Sequence, residues 1–118
     1  MLTETQTQQL LDEAQQWLSR LVTYAADIHD AKAKLYRWAA GKTEQDIRLQ
    51  IEHFHNQFHI QLINLHDLKH GIRHYTQEIK HQPEADYNEK HAQLLDQYNF
   101  LTKDLYELRA DFKAFTGE

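Results

Sequence analysis

The sequence contains no cysteine, a single proline and only three glycines. Without cysteine, the chain has no disulfide framework, no thiolate metal site and no thiol nucleophile. With so little proline and glycine, the backbone has few positions at which a helix is forced to end. The sequence also lacks any apolar run near the ~18 residues that a membrane span requires, so we expect no contact with a membrane.

Positive charge is also scarce. The formal net charge is -5 with histidine neutral, and the 13 basic residues are scattered along the chain. An acidic balance without a dense basic patch argues against nucleic-acid binding. The polar N-terminal segment has no apolar stretch of the signal-peptide kind, so we expect a soluble, cytoplasmic protein. At this length, residues 1–118 are expected to form one domain with a single core.

Three long stretches of the chain carry apolar residues at alternating steps of four and three. The stripes are Leu10, Ala14, Trp17, Leu21, Tyr24, Ile28, Ala31, Leu35 and Trp38; then Ile47, Ile51, Phe54, Phe58, Gln61, Leu65, Leu68, Ile72, Tyr75 and Ile79; then Tyr87, His91, Leu94, Tyr98, Leu101, Leu105, Leu108, Phe112 and Phe115. This heptad spacing places each stripe along one face of a helix. It predicts helices at about 5–40, 44–81 and 84–116.

The rare glycines and the proline mark the helix ends. Gly41 suits a left-handed residue after the first helix, Thr43 suits the N-cap of the second, and Pro83 suits the first turn of the third. Gly71 lies inside the second helix, where it either weakens the helix by ~1 kcal/mol relative to alanine or marks a close approach of two backbones. Because the connections are short, sequential helices must run antiparallel. The expected fold is all-α, an elongated up-down-up three-helix bundle with coiled-coil-like packing.

Histidine is the most unusual component, because six of the nine histidines lie between His53 and His74. None of these six occupies the heptad seam of the second helix; they share its flank and back with Leu62 and Ile63. The flank of the first helix that faces them is also partly apolar. Such surfaces are commonly covered by a second copy of the chain. We therefore predict a protein that acts through protein–protein contact, as a homodimer or with another protein. The predicted interface is Leu11, Leu18, Val22, His55, His59, Leu62, Ile63, His66 and His70.

A metal site is the alternative interpretation of the histidines. Folding the chain about residue 42 brings His29, His55 and His59 toward one groove, with His66 further along it. These four side chains could bind zinc or another divalent transition metal. No ligand motif of fixed spacing supports such a site, so our primary expectation is a protein without a cofactor, and a metal- or pH-responsive protein is the second hypothesis.

No catalytic constellation is evident, and we therefore expect that the protein is not an enzyme. Two polar residues, Gln61 and His91, interrupt the apolar stripes. Buried polar groups need partners and often set the register between helices. Folding about residue 82 places His91 near Tyr75, which predicts a hydrogen bond between the histidine and the tyrosine hydroxyl. The same reasoning finds no acidic residue beside His91.

Overall fold

The computed structural model describes residues 3–117. Three helices account for nearly all of them: α1, Glu4–Ala39; α2, Gln45–His81; and α3, Asn88–Thr116. The described chain has no β-strand and measures 61 × 19 × 18 Å. Consecutive helices run antiparallel, so the all-α, elongated three-helix fold predicted from the heptad spacing is confirmed.

Helix α1 begins with a side-chain cap that the apolar pattern could not locate. The backbone N–H of Gln6 donates to the Thr3 hydroxyl at 3.1 Å, and the Gln6 side-chain oxygen accepts from the Thr3 N–H at 2.9 Å. This reciprocal capping box satisfies two backbone N–H groups at the helix start. At the other end Gly41 has a φ of 81°, the left-handed conformation predicted for it.

The prediction that Thr43 caps α2 is wrong, because Glu44 occupies the N-cap position and makes no side-chain capping bond. The predicted start of α3 near residue 84 is also wrong, since the helix begins at Asn88. The Tyr87 hydroxyl lies 2.9 Å from the carbonyl oxygen of Glu78 and 2.8 Å from that of Gln82. The hydroxyl has one proton, which the two acceptors share. These bonds pair carbonyls at the end of α2, and Tyr87 itself occupies the N-cap position of α3.

The core follows the predicted stripes, with aromatic rings concentrated in α2 and α3. The buried apolar residues are Ala14, Trp17, Leu21, Ile28 and Leu35 of α1; Phe54, Phe58, Leu65, Leu68, Ile72, Tyr75 and Ile79 of α2; Tyr87 in the turn; and Leu94, Tyr98, Leu101, Leu105, Leu108 and Phe112 of α3. Phe58 packs edge-on against Phe112, with ring centroids 5.1 Å apart. Such aromatic pairs contribute ~0.5–1.5 kcal/mol beyond the burial of their area.

The three helices do not pack equally. Helix α1 contacts α2 along much of its length, and it contacts α3 least. Tyr24 and Ala31, both on the predicted stripe of α1, are therefore only half-buried and line a groove of about 180 Å³ between α1 and α3. The heptad pattern marked these positions as core, but burial requires a neighbouring helix close enough to cover them.

Candidate functional site

The heptad positions of the predicted interface residues assign them to the side of the α1–α2 hairpin that faces away from α3, a surface we call the hairpin face. Near the α1–α2 turn it contains a groove of about 530 Å³ whose lining comes from α1 and α2 alone. The lining residues are Leu35, Tyr36, Ala39, Ile51, Glu52, His55 and Asn56. The residues that α1 and α2 direct toward α3 form different grooves. The hairpin face is thus uncovered by the third helix.

The apolar residues of the hairpin face fall into two groups. Leu11, Leu18 and Leu62 are half-buried and pack against the edge of the core. Val22 is 53% exposed and Ile63 is 48% exposed. The first group extends the core at its edge, whereas about half of each side chain in the second group is uncovered within the described chain.

The histidines of this face are mostly in contact with solvent. His59, His66 and His70 are exposed, while His55 is half-buried. The His55 ring meets the ring of Tyr36 edge-on, at a centroid distance of 6.1 Å. Imidazole and phenol rings combine apolar faces with polar edges, which suits a surface that is wet in one state and covered in another.

The four histidines considered as metal ligands do not form a ligand cluster. His29 is exposed and is not among the residues that line the groove around His55, where Tyr36 lies instead. Over residues 3–117, no three histidine, aspartate or glutamate side chains come together in a way that could hold a metal ion. A zinc site at His29, His55, His59 and His66 stays a prediction from sequence.

The most connected polar group lies in the core, where His91 links all three helices. His91 Nδ1 is 2.8 Å from the hydroxyl oxygen of Tyr75 in α2, and Nε2 is 2.6 Å from Oε2 of Glu13 in α1. The imidazole also packs against Trp17, with ring centroids 4.7 Å apart. Tyr75 is fully buried and His91 nearly so, while the Glu13 side chain is 55% exposed.

This geometry selects one protonation pattern for a neutral His91. Nε2–H donates to the Glu13 carboxylate, and Nδ1 accepts the proton of the Tyr75 hydroxyl. Every polar atom of the ring is then paired, as burial requires. The carboxylate reaches solvent while the phenol is enclosed, so the triad links the protein surface to a shielded tyrosine. We name these three residues the His91 triad.

The hydrogen bond between His91 and Tyr75 confirms the sequence prediction, but the expectation that no acid lies beside His91 is wrong. Glu13 is 78 positions away in the chain. In the sequence, Glu13 precedes Ala14 at the edge of the apolar stripe of α1. An acidic residue at such a position is expected to be exposed to solvent. The position of Glu13 beside a core residue is the only sequence signal for a buried contact, and the apolar pattern does not indicate which helix would supply the partner.

The His91 triad predicts a pH dependence on the alkaline side. Burial raises the pKa of Tyr75, and the charge of Glu13 and the nearby Tyr87 raise it further. A phenol with a raised folded-state pKa contributes stability that is complete below its ordinary value of ~10 and is lost as pH rises through the folded value. We expect the free energy of unfolding to fall above about pH 10, with a slope that Tyr75→Phe makes shallower by up to ~1.4 kcal/mol per pH unit.

Urea denaturation at a series of alkaline pH values measures this slope. Tyr106→Phe provides the control, because Tyr106 is 77% exposed and lies outside the triad. Equal slopes for Tyr75→Phe and the wild type would contradict the assigned role of the buried phenol.

No protein-family model matches the sequence, and no curated protein or solved structure matches it significantly. In the described part of the chain, none of the helices is long and apolar enough to cross a membrane. The geometry of the hairpin face and of the His91 triad is therefore the basis on which a function is inferred.

Proposed function

We propose that the protein acts through protein–protein contact, as a homodimer joined through the hairpin face. The observation that supports this proposal is that Val22 and Ile63 are exposed, while Leu18, one helical turn before Val22, and Leu62, the residue before Ile63, are half-buried. Isolated exposed apolar residues are common on protein surfaces, whereas several apolar residues on one side of a molecule are typical of contact sites.

The size of the face is compatible with a stable dimer. The molecule is 61 Å long and 19 Å wide. The projected area of one such side is larger than the ~800 Å² that each partner buries in a standard protein–protein interface. A two-fold dimer would pair the same face of two copies, so each apolar residue of the face would be buried in both copies.

The histidines give the proposed dimer a dependence on acidity. His55 lines the groove of the hairpin face beside Glu52, and His29, His59 and His66 are exposed on the same two helices. Histidines ordinarily gain charge between pH 8 and pH 5, and repeated positive charges across a two-fold axis repel. We therefore propose an association that is stronger at pH 8 than at pH 5.5.

The proposal is tested with the double variant Val22→Glu/Ile63→Glu. Both residues are about half exposed, so the variant is expected to fold, and four charges would meet across the interface of a dimer. We expect light scattering at pH 8 to give the mass of a dimer for the wild type and of a monomer for the variant. Leu62 is left intact because it packs against the core.

Tyr106→Glu is the matched control, since it adds a charge at an exposed ring on α3 and should leave the mass unchanged. Circular dichroism must show the helical content of each variant to be that of the wild type. A wild-type chain that is monomeric throughout the accessible concentration range would overturn the proposal. Thermal unfolding followed by circular dichroism, with zinc and with a chelator, tests the metal hypothesis. Zinc that binds to the folded state alone would raise the melting temperature.

A further inference from the structure

A second surface lies on another side of the bundle, in a groove of about 610 Å³ between α2 and α3. Buried Leu68 and Leu101 form its floor, and Gly71 lies in the wall. A Cβ added to Gly71 would meet nothing within 4 Å, so the alternative of a close backbone approach at this glycine is excluded. A mid-helix glycine destabilises a helix relative to alanine, and no contact that requires a glycine at position 71 compensates for this within the described chain.

Phe100 is the principal apolar group at the mouth of this groove. Its side chain is 68% exposed, although the ring lies beside the floor of Leu68 and Leu101. Burial of a phenylalanine ring away from water is favourable. Because most of the Phe100 ring is exposed in the free chain, a partner that covers the ring would gain most of this favourable free energy.

The charge around the groove has one sign. Asp67 of α2 and Asp96 and Asp104 of α3 line it, and no lysine, arginine or histidine is among the lining residues. These carboxylates would repel nucleic acid and anionic lipid, and they would attract a partner that carries lysine or arginine beside its apolar residues.

We propose that the α2–α3 groove binds a basic amphipathic helix of another protein. The groove runs along α2 from Asn64 to Gly71, about two helical turns, between two antiparallel helices. A helix placed there occupies the position of the fourth helix in a four-helix bundle. Its apolar side chains would cover Phe100 and enter the space above Gly71, while its basic side chains would reach the three aspartates.

The groove and the hairpin face lie on different sides of α2, so this binding is independent of the proposed dimer. The probe is a fluorescein-labelled helical peptide of about five turns, with leucine at i, i+3, i+4 spacing and lysine elsewhere. We expect fluorescence anisotropy to show saturable binding to the full chain that weakens as salt is raised. The same peptide with glutamate in place of lysine should not bind.

Three variants test the location. Phe100→Ser should raise the dissociation constant about tenfold or more, because a central aromatic contact is lost. Asp96→Asn should weaken binding and reduce its salt dependence, whereas Asp46→Asn, which alters another exposed acid at the start of α2, should do neither.

Several results would overturn the proposal. Absence of binding, or binding that Phe100→Ser leaves unchanged, excludes this groove as the site. Equal weakening by Asp46→Asn and Asp96→Asn would show attraction to the net charge of the chain alone. A wild-type dimer that becomes monomeric through Phe100→Ser would assign the groove to a second copy of the chain instead of a basic partner helix.

Discussion

Replacing Phe58 with alanine is expected to lower the free energy of unfolding by ~3–5 kcal/mol, the usual loss for a buried aromatic ring. Phe58 has no exposed surface and contacts the rings of Phe54 and Phe112. It also lies beneath the groove between α1 and α3, where the helices are least closely packed. The cavity is therefore expected to persist, because collapse would require α1 and α3 to approach each other.

Urea denaturation followed by circular dichroism measures this loss as a lower transition midpoint. The matched control is Phe100→Ala, which removes the same ring from a position that is 68% exposed and should change stability by less than ~0.5–1 kcal/mol. A domain of this size has ~5–15 kcal/mol of total stability, so Phe58→Ala would remove a large share of it. Similar losses for the two variants would contradict the observed burial.

The second large effect is expected at the His91 triad. Replacing His91 with leucine keeps a side chain of similar volume but leaves the fully buried Tyr75 hydroxyl without its partner. Burying an unpaired hydroxyl costs ~1–3 kcal/mol, and loss of the contact between the imidazole and Trp17 adds to it. We expect His91→Leu to lower the free energy of unfolding by ~2–4 kcal/mol.

A double-mutant cycle with Tyr75→Phe isolates the hydrogen bond. Tyr75→Phe alone leaves His91 Nδ1 without a donor, whereas His91→Leu/Tyr75→Phe removes both polar groups together. The double variant should therefore lose less stability than the sum of the single variants, by ~1 kcal/mol or more. Strict additivity would show that the hydroxyl and the imidazole do not interact. Glu13→Gln should cost less than His91→Leu, because the glutamine side chain still offers an oxygen to Nε2–H.

The core stripes and the antiparallel arrangement follow from local pattern alone. A side chain four or three residues from the last apolar one lies on the same helical face, so Phe58 and Leu65 were identifiable as core without knowledge of any partner. The helix ends were less accessible. Thr43 has the right side chain for an N-cap but Glu44 takes that position, and α3 begins at Asn88, after the residue near 84 that the pattern predicts.

The sites depended on information that periodicity does not carry. His91 could be paired with Tyr75 because the two helices are joined by a short turn that sets their register. Glu13 could not be paired with His91, since the register of α1 against α3 has no direct connection to set it. Likewise, the sequence showed that Gly71 was unusual but could not tell a close contact from an open groove.

The sequence by itself determined the helical class, the apolar face of each helix and the order in which the helices run, because each depends on residues close together in the chain. The tertiary structure decided how near the helices lie to one another. It left α1 and α3 apart over Tyr24 and Ala31, placed Glu13 on His91, and opened the space above Gly71. These outcomes depend on how side chains of all three helices fill a common volume, which no single helix specifies.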